Sequence, residues 1–180
     1  YHSNYKKKLL IYNQGHGGNP YNYDYFINIK EHYKQKGFDV MSLSMSNLGY
    51  NEEPISFPLI DLKIEKGNIQ SHAVYHKFYD KKYPNKKPLS LMLSGNYYLI
   101  KKILSDSAYE EIYMIGISGG GWYTTFLSSI IPEIKTSYAF SGTIPPIFHF
   151  WRSKGDWEYH GSKIYEEVDF WDLYVLSTID

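Results

Sequence analysis

Hydrophobic positions recur along this chain with two different periods. Leu9-Leu10-Ile11-Tyr12 and Ile112-Tyr113-Met114-Ile115 are short, continuous apolar runs, the length of strands covered on both faces. Helical spacing appears at Tyr25, Phe26, Ile29 and Tyr33 within residues 23–36, with Gly37 placed to end that helix. It recurs at Leu91, Leu93, Tyr97, Leu99, Ile100, Ile103 and Leu104 within residues 89–104. Residues 38–45 alternate into a second strand, residues 122–131 are helix-compatible, and residues 136–141 form a further strand after a turn at 132–135. Val168, Trp171, Leu173, Tyr174 and Leu176 predict a last helix over 166–178. Residues 53–87 are weakly periodic, charged and broken by Pro54, Pro58 and Pro84, which predicts an irregular excursion over one face of the sheet. Strand, helix, strand, excursion, helix, strand, helix, strand predicts an α/β fold with a doubly wound, mostly parallel sheet. The aromatic stretch 147–165 is a candidate lid within a single domain spanning 1–180.

Bulk properties narrow the function classes. The 180 residues suffice for one domain with a sizeable core. Lys plus Arg and Asp plus Glu number 19 each, so no net field draws a nucleic acid. The absence of cysteine excludes disulfides, thiolate metal sites and a cysteine nucleophile. No apolar run approaches the ~18 residues of a membrane span, and no signal peptide is legible in this stretch, which leaves the compartment open. The sequence begins at Tyr1 rather than Met and stops within an element at residues 174–180, so we expect a piece of a longer protein. His72 and His76 stand i, i+4, but no glutamate follows the first histidine and no third ligand is evident. A surface or structural role is favoured there, and we expect no metal site and no cofactor.

The chemistry concentrates in Gly116-Ile117-Ser118-Gly119-Gly120-Gly121, between the apolar run at 112–115 and the helix-compatible segment that follows. G-x-S-x-G between strand and helix is the setting of a nucleophile elbow. A serine at the apex of such a turn takes strained backbone angles. Gly116 and Gly120 then let strand and helix approach closely, while Gly119 places a bare N–H beside the serine at a helix N-terminus. A phosphate loop is disfavoured, because neither G-x-x-x-x-G-K-[ST] nor G-x-G-x-x-G is present. The first strand ends in Asn13-Gln14-Gly15-His16-Gly17-Gly18-Asn19-Pro20, a tight loop whose backbone N–H groups can point inward. Beside Ser118 it becomes a candidate second half of an oxyanion hole, with His16 shaping the loop rather than acting as base. Residues 47–52 form a loop at the same sheet end.

Taken together, Gly15-His16-Gly17-Gly18 and Gly116-Ile117-Ser118-Gly119-Gly120 in this order resemble the α/β-hydrolase superfamily over roughly residues 8–145. The run 114–122 looks most like the dienelactone-hydrolase and prolyl-oligopeptidase-like branch, which includes acetyl-esterase-type enzymes. The resemblance implies Ser118 as the nucleophile that forms an acyl-enzyme and Gly119 as one oxyanion donor. It supplies the second donor from Gly18 first and Gly17 next. It implies a small-molecule ester or acyl substrate and a serine carboxylesterase. The alternatives are a non-catalytic binding module of the same fold, or a prolyl-oligopeptidase-type peptidase. In that family the acid and histidine follow later strands. The 62 residues after Ser118 hold one clear strand, the candidate lid and a helix. Both groups are therefore expected beyond Asp180, with the sheet incomplete at its C-terminal edge and the chain by itself inactive. His149 and His160, the only downstream histidines, sit in the aromatic segment and are not favoured as the base.

Overall fold

The computed structural model describes residues 7–51, 53–57, 62–64, 88–144 and 163–178. Their frame is a four-stranded parallel sheet in the order β2-β1-β5-β6, with β1 at Lys8–Asn13, β2 at Phe38–Leu43, β5 at Glu111–Ile117 and β6 at Thr136–Phe140. β1 lies between two neighbours and is buried from Leu9 to Asn13, which is why its sequence is an unbroken apolar run. The chain winds outward from β1 to β2 and then crosses to β5 and β6 on the other side. The direction of winding therefore changes between β1 and β5. The strand ends there leave a crevice at the carboxyl edge, where the loops after both strands meet.

Helices cover the sheet. α1 (Asp24–Gln35) connects β1 to β2 and buries Phe26 against Tyr12, ring centroids 4.7 Å apart. Lys36 caps it, and Gly37, whose φ of 80° suits glycine, turns the chain into β2. α2 (Pro88–Asp106) and α3 (Gly119–Ile130) pack with α4 (Phe170–Leu176) around one core that contains Ile11, Met45, Ile100, Met114, Trp122, Leu127 and Phe170. α3 is buried from Gly119 to Ser128 on every face, and its buried polar residues Thr124, Thr125 and Ser128 bond within the molecule. α4 begins with a reciprocal capping box between Asp169 and Asp172.

Several boundaries differ from the sequence expectations. α3 starts at Gly119, three residues before the predicted Trp122, because the glycines are themselves its first turn. The last helix is shorter than 166–178; a 3-10 turn at Lys163–Glu166 and an extended step precede it. Within the predicted excursion, Ile55–Phe57 (β3) and Leu62–Ile64 (β4) pair as an antiparallel ribbon that weak periodicity did not announce. His72, His76, His149 and His160 lie outside the described residues, as does the candidate lid up to residue 162. Its last residues belong to the 3-10 turn, where the Tyr165 hydroxyl accepts a 2.9 Å hydrogen bond from Trp122 Nε1. No helix among the described residues is long and apolar enough to cross a membrane, and no cluster of three or more His, Asp or Glu suited to a metal occurs among them.

One ion pair, Lys101 with Glu133, joins α2 to the turn before β6. The hydrogen bond from the ammonium holds the Glu133 carboxyl below its ordinary value and raises that of Lys101. A depressed carboxylate stabilises the fold fully above the ordinary glutamate value, about 4.3, and loses that contribution as pH falls through its lower folded value. Both side chains are more than a third exposed, so screening limits the gain to below about 1 kcal/mol. Glu133→Gln is expected to lower stability by less than about 1 kcal/mol near pH 7, and the difference from wild type should close as pH falls through about 5 to 3, which flattens the acid limb of a urea-denaturation profile. An unaltered acid limb would contradict this role.

Candidate active site

Ser118 stands at the apex of the turn from β5 into α3, with φ 56° and ψ −130°. A side-chain-bearing residue held there stores about 1–3 kcal/mol and persists only where its surroundings overdetermine it. Its N–H donates to the Phe140 carbonyl at the end of β6 over 2.8 Å. Its own carbonyl accepts from the N–H groups of Gly121 (2.8 Å) and Trp122 (3.2 Å). The side chain is exposed, and among the described residues no hydrogen bond ends on its hydroxyl. The other two described non-glycine residues with positive φ, Asn47 after β2 and Ser141 after β6, also follow strand ends at this edge. Backbone strain is thus gathered at one rim of the sheet.

The turn is this sharp because the helix runs against the sheet backbone with no side chain between. A Cβ on Gly116 would lie 2.2 Å from the Gly120 carbonyl oxygen, and one on Gly120 would lie 2.0 Å from the Asn13 carbonyl oxygen. Asn13, buried at the end of β1, donates from Nδ2 to Thr124 Oγ1 over 2.9 Å and ties that strand to α3. In the first turn of α3 the N–H groups of Gly121 and Trp122 are taken by the Ser118 carbonyl. Those of Gly119 and Gly120 make no hydrogen bond among the described residues. Two open donors and the positive end of a buried helix dipole therefore lie next to the Ser118 side chain.

The loop after β1 comes to the same place. A Cβ on Gly15 would lie 3.0 Å from Ser118 Cβ and 3.2 Å from the Gly119 nitrogen. The His16 imidazole and Met45 Sδ press on Gly119 from the other side: a Cβ there would lie 2.8 Å from His16 Nδ1 and 2.6 Å from the sulfur. His16 makes no hydrogen bond to the Ser118 hydroxyl. The Gly18 N–H donates to the Gly15 carbonyl at 3.2 Å, near the long limit for such a bond, while the Gly17 N–H has no bond among the described residues. Gly18 packs in turn on Gly49, which brings the loop after β2 to the rim.

Behind the loop lies a polar cluster that sequence reasoning did not single out. Tyr12 Oη donates to Gln14 Oε1 at 3.1 Å, Gln14 Nε2 donates to Tyr25 Oη at 3.2 Å, and Tyr23 Oη donates to the Gly17 carbonyl at 2.9 Å. Burial, and then the neighbouring Tyr25 hydroxyl, hold the Tyr12 phenol well above its ordinary value, so it remains a protonated donor. The tyrosines at 21 and 23 were legible only as aromatic content, and Tyr25 only as one apolar position of the first helix. Which of them turns a hydroxyl toward the loop depends on where α1 begins.

No protein-family model and no curated protein matches the chain. Solved structures do. Est1E from Butyrivibrio proteoclasticus, solved with ferulic acid bound, matches with a TM-score of 0.53 and 18% identity over 97% of this chain and 62% of its own. Acetyl xylan esterase 1 from Thermoanaerobacterium sp. matches with a TM-score of 0.59 and 14% identity over 99% of this chain and 56% of its own. A protein assigned as a dienelactone hydrolase from Klebsiella pneumoniae matches with a TM-score of 0.53 and 11% identity over 98% and 59%. At these identities the likeness is one of fold: the chain has the α/β-hydrolase fold, and it spans about three fifths of the length of these structures.

The strand–helix contact carries its own prediction. Gly120→Ala places a methyl on the Asn13 carbonyl, a backbone atom that cannot move aside without shifting β1. It is expected to cost at least about 1–3 kcal/mol by urea denaturation. Wild-type stability in this variant would show that the close approach is not required.

Proposed function

We propose that this chain carries the nucleophile and oxyanion hole of a serine hydrolase, a carboxylesterase acting on a small-molecule ester or acyl substrate. The single observation behind the proposal is Ser118: an exposed side chain on a backbone at φ 56°, between a parallel strand and a buried helix, beside open N–H groups. That is the geometry a nucleophile elbow requires. The esterases among the solved structures of this fold lend the substrate class, as analogy.

In the proposed reaction Ser118 Oγ adds to the ester carbonyl carbon while its proton passes to a general base. The carbonyl oxygen becomes an oxyanion held by the Gly119 N–H, under the α3 dipole, and by a donor from the glycine loop, Gly18 first and Gly17 next. Gly18 already points at Gly15, the residue touching Ser118, and its long bond there can be shared with the oxyanion. Collapse expels the alcohol and leaves an acyl-Ser118, which water attacks with the same base and donors to release the acid and restore the hydroxyl. His16 supports the loop by packing on Gly119. The base and the acid that orients it are assigned to a further part of a longer protein, since the fold relatives exceed this chain in length and no described imidazole bonds Ser118.

The test is p-nitrophenyl acetate turnover by the full-length protein that contains this chain, with and without Ser118→Ala. Turnover is expected in the parent, with a loss on the order of 10⁴-fold or more in the variant. Equal turnover by Ser118→Ala would remove the nucleophile assignment. A full-length protein inert in both forms would favour a non-catalytic binding module of the same fold.

A further inference from the structure

The hydroxyl of Tyr23 is spent on a single backbone oxygen, that of Gly17. That oxygen and the Gly18 N–H belong to one peptide plane, in which carbonyl and N–H point in opposite directions. With the carbonyl anchored on Tyr23, the Gly18 N–H is turned toward Gly15, which it reaches at 3.2 Å. Gly15 is in turn the loop residue that abuts Ser118 and the Gly119 nitrogen.

The peptide needs such an anchor because it joins two glycines. Gly18 has φ 89°, and neither neighbour carries a Cβ to resist rotation of the plane between them. In the flipped orientation the Gly17 carbonyl, not an N–H, would point toward Gly15 beside Ser118, and its negative end would repel a developing oxyanion there. A hydroxyl that holds the carbonyl outward selects the competent orientation. Tyr23 is well placed to do this. It immediately precedes α1, its backbone N–H is fixed to the Pro20 carbonyl at 3.1 Å, and its ring packs on Tyr25 at 5.2 Å. The fit to Gly17 is close: a Cβ on Gly17 would lie 2.3 Å from Tyr23 Oη and 3.2 Å from Gln14 Nε2.

We infer that Tyr23 is a positioning residue for the oxyanion hole, holding the Gly17–Gly18 peptide so that its N–H rather than its carbonyl serves the site. The inference rests on the hydrolase reading of Ser118. Tyr23 does not touch the reacting atoms, so its removal acts on transition-state stabilisation and leaves substrate affinity alone.

The experiment compares Tyr23→Phe, which keeps the ring and loses the hydroxyl, with Tyr109→Phe in the full-length protein. The Tyr109 hydroxyl bonds Asp39 at the opposite end of the sheet, so this variant reports what losing a tyrosine hydrogen bond does elsewhere. Tyr23→Phe is expected to lower kcat for p-nitrophenyl acetate about 3- to 10-fold at unchanged KM, the factor that one net hydrogen bond represents. The affinity of a trifluoromethyl ketone, whose adduct with a serine carries an oxyanion, should fall by the same factor, and Gly18 amide exchange should accelerate. Tyr109→Phe should lower the melting temperature without changing kcat. Unchanged kcat and inhibitor affinity in Tyr23→Phe, with turnover still abolished by Ser118→Ala, would overturn the positioning role and spare the hydrolase reading. Persistent turnover in Ser118→Ala would overturn both. In the unmodified protein, a Gly18 amide that exchanges as fast as its Gly17 neighbour would overturn the anchor without any variant.

Discussion

Everything at the carboxyl edge of the sheet depends on how closely α3 lies on the backbone of β1 and β5. Gly120 rests on the carbonyl of Asn13, and Gly116 rests on the carbonyl of Gly120, at separations that exclude any side chain. With strand and helix this near, the chain has one residue in which to reverse. Only a positive φ does so, and Ser118 supplies it. Three properties follow together. The serine side chain is thrown outward, the first two N–H groups of the helix find no partner among the described residues, and the loop after β1 is pressed against both.

The core and the rim of the molecule follow different physics. Beneath the sheet and helices, Ile11, Met114, Trp122 and Leu127 are buried apolar groups whose packing needs no direction. At the rim, Asn13, Gln14, Ser44, Asn96 and Thr124 are buried polar groups, each costly unless hydrogen-bonded. Asn96 Nδ2 and Asn51 Nδ2 both reach the Ser44 carbonyl, at 3.3 and 3.1 Å, and Gln14 joins Tyr12 to Tyr25. Directional bonds of this kind hold loops in single conformations, which an apolar contact would not. The strain stored at Asn47, Ser118 and Ser141 is accommodated by that rigidity.

The frame and the serine turn were legible in the residues themselves. An unbroken run such as Leu9–Tyr12 suits a strand covered on both faces, and its alternation with helical spacing along the chain is what points to a parallel sheet. The glycines around Ser118 restrict the backbone locally, so their order along the chain already states where a sharp bend can occur. The start of α3 was misplaced by three residues, because glycine reads as a helix breaker when its close packing against a strand is out of view. The β3–β4 ribbon was hidden for a related reason: its pairing joins short segments with no periodicity of their own.

What tertiary structure alone decided is direction. No spacing in the sequence says that the Gly18 N–H turns to Gly15, that His16 rests on Gly119, or that Tyr23 among twenty tyrosines meets the Gly17 carbonyl. Those relations join residues brought together by the β1–β5 pairing and by the point where α1 begins. They depend on the aim of single bonds across a rim that many sequences of this pattern could build differently. The pattern along the chain determined which backbone could form and where it must bend. The packing of α3 on two strands determined where each donor points.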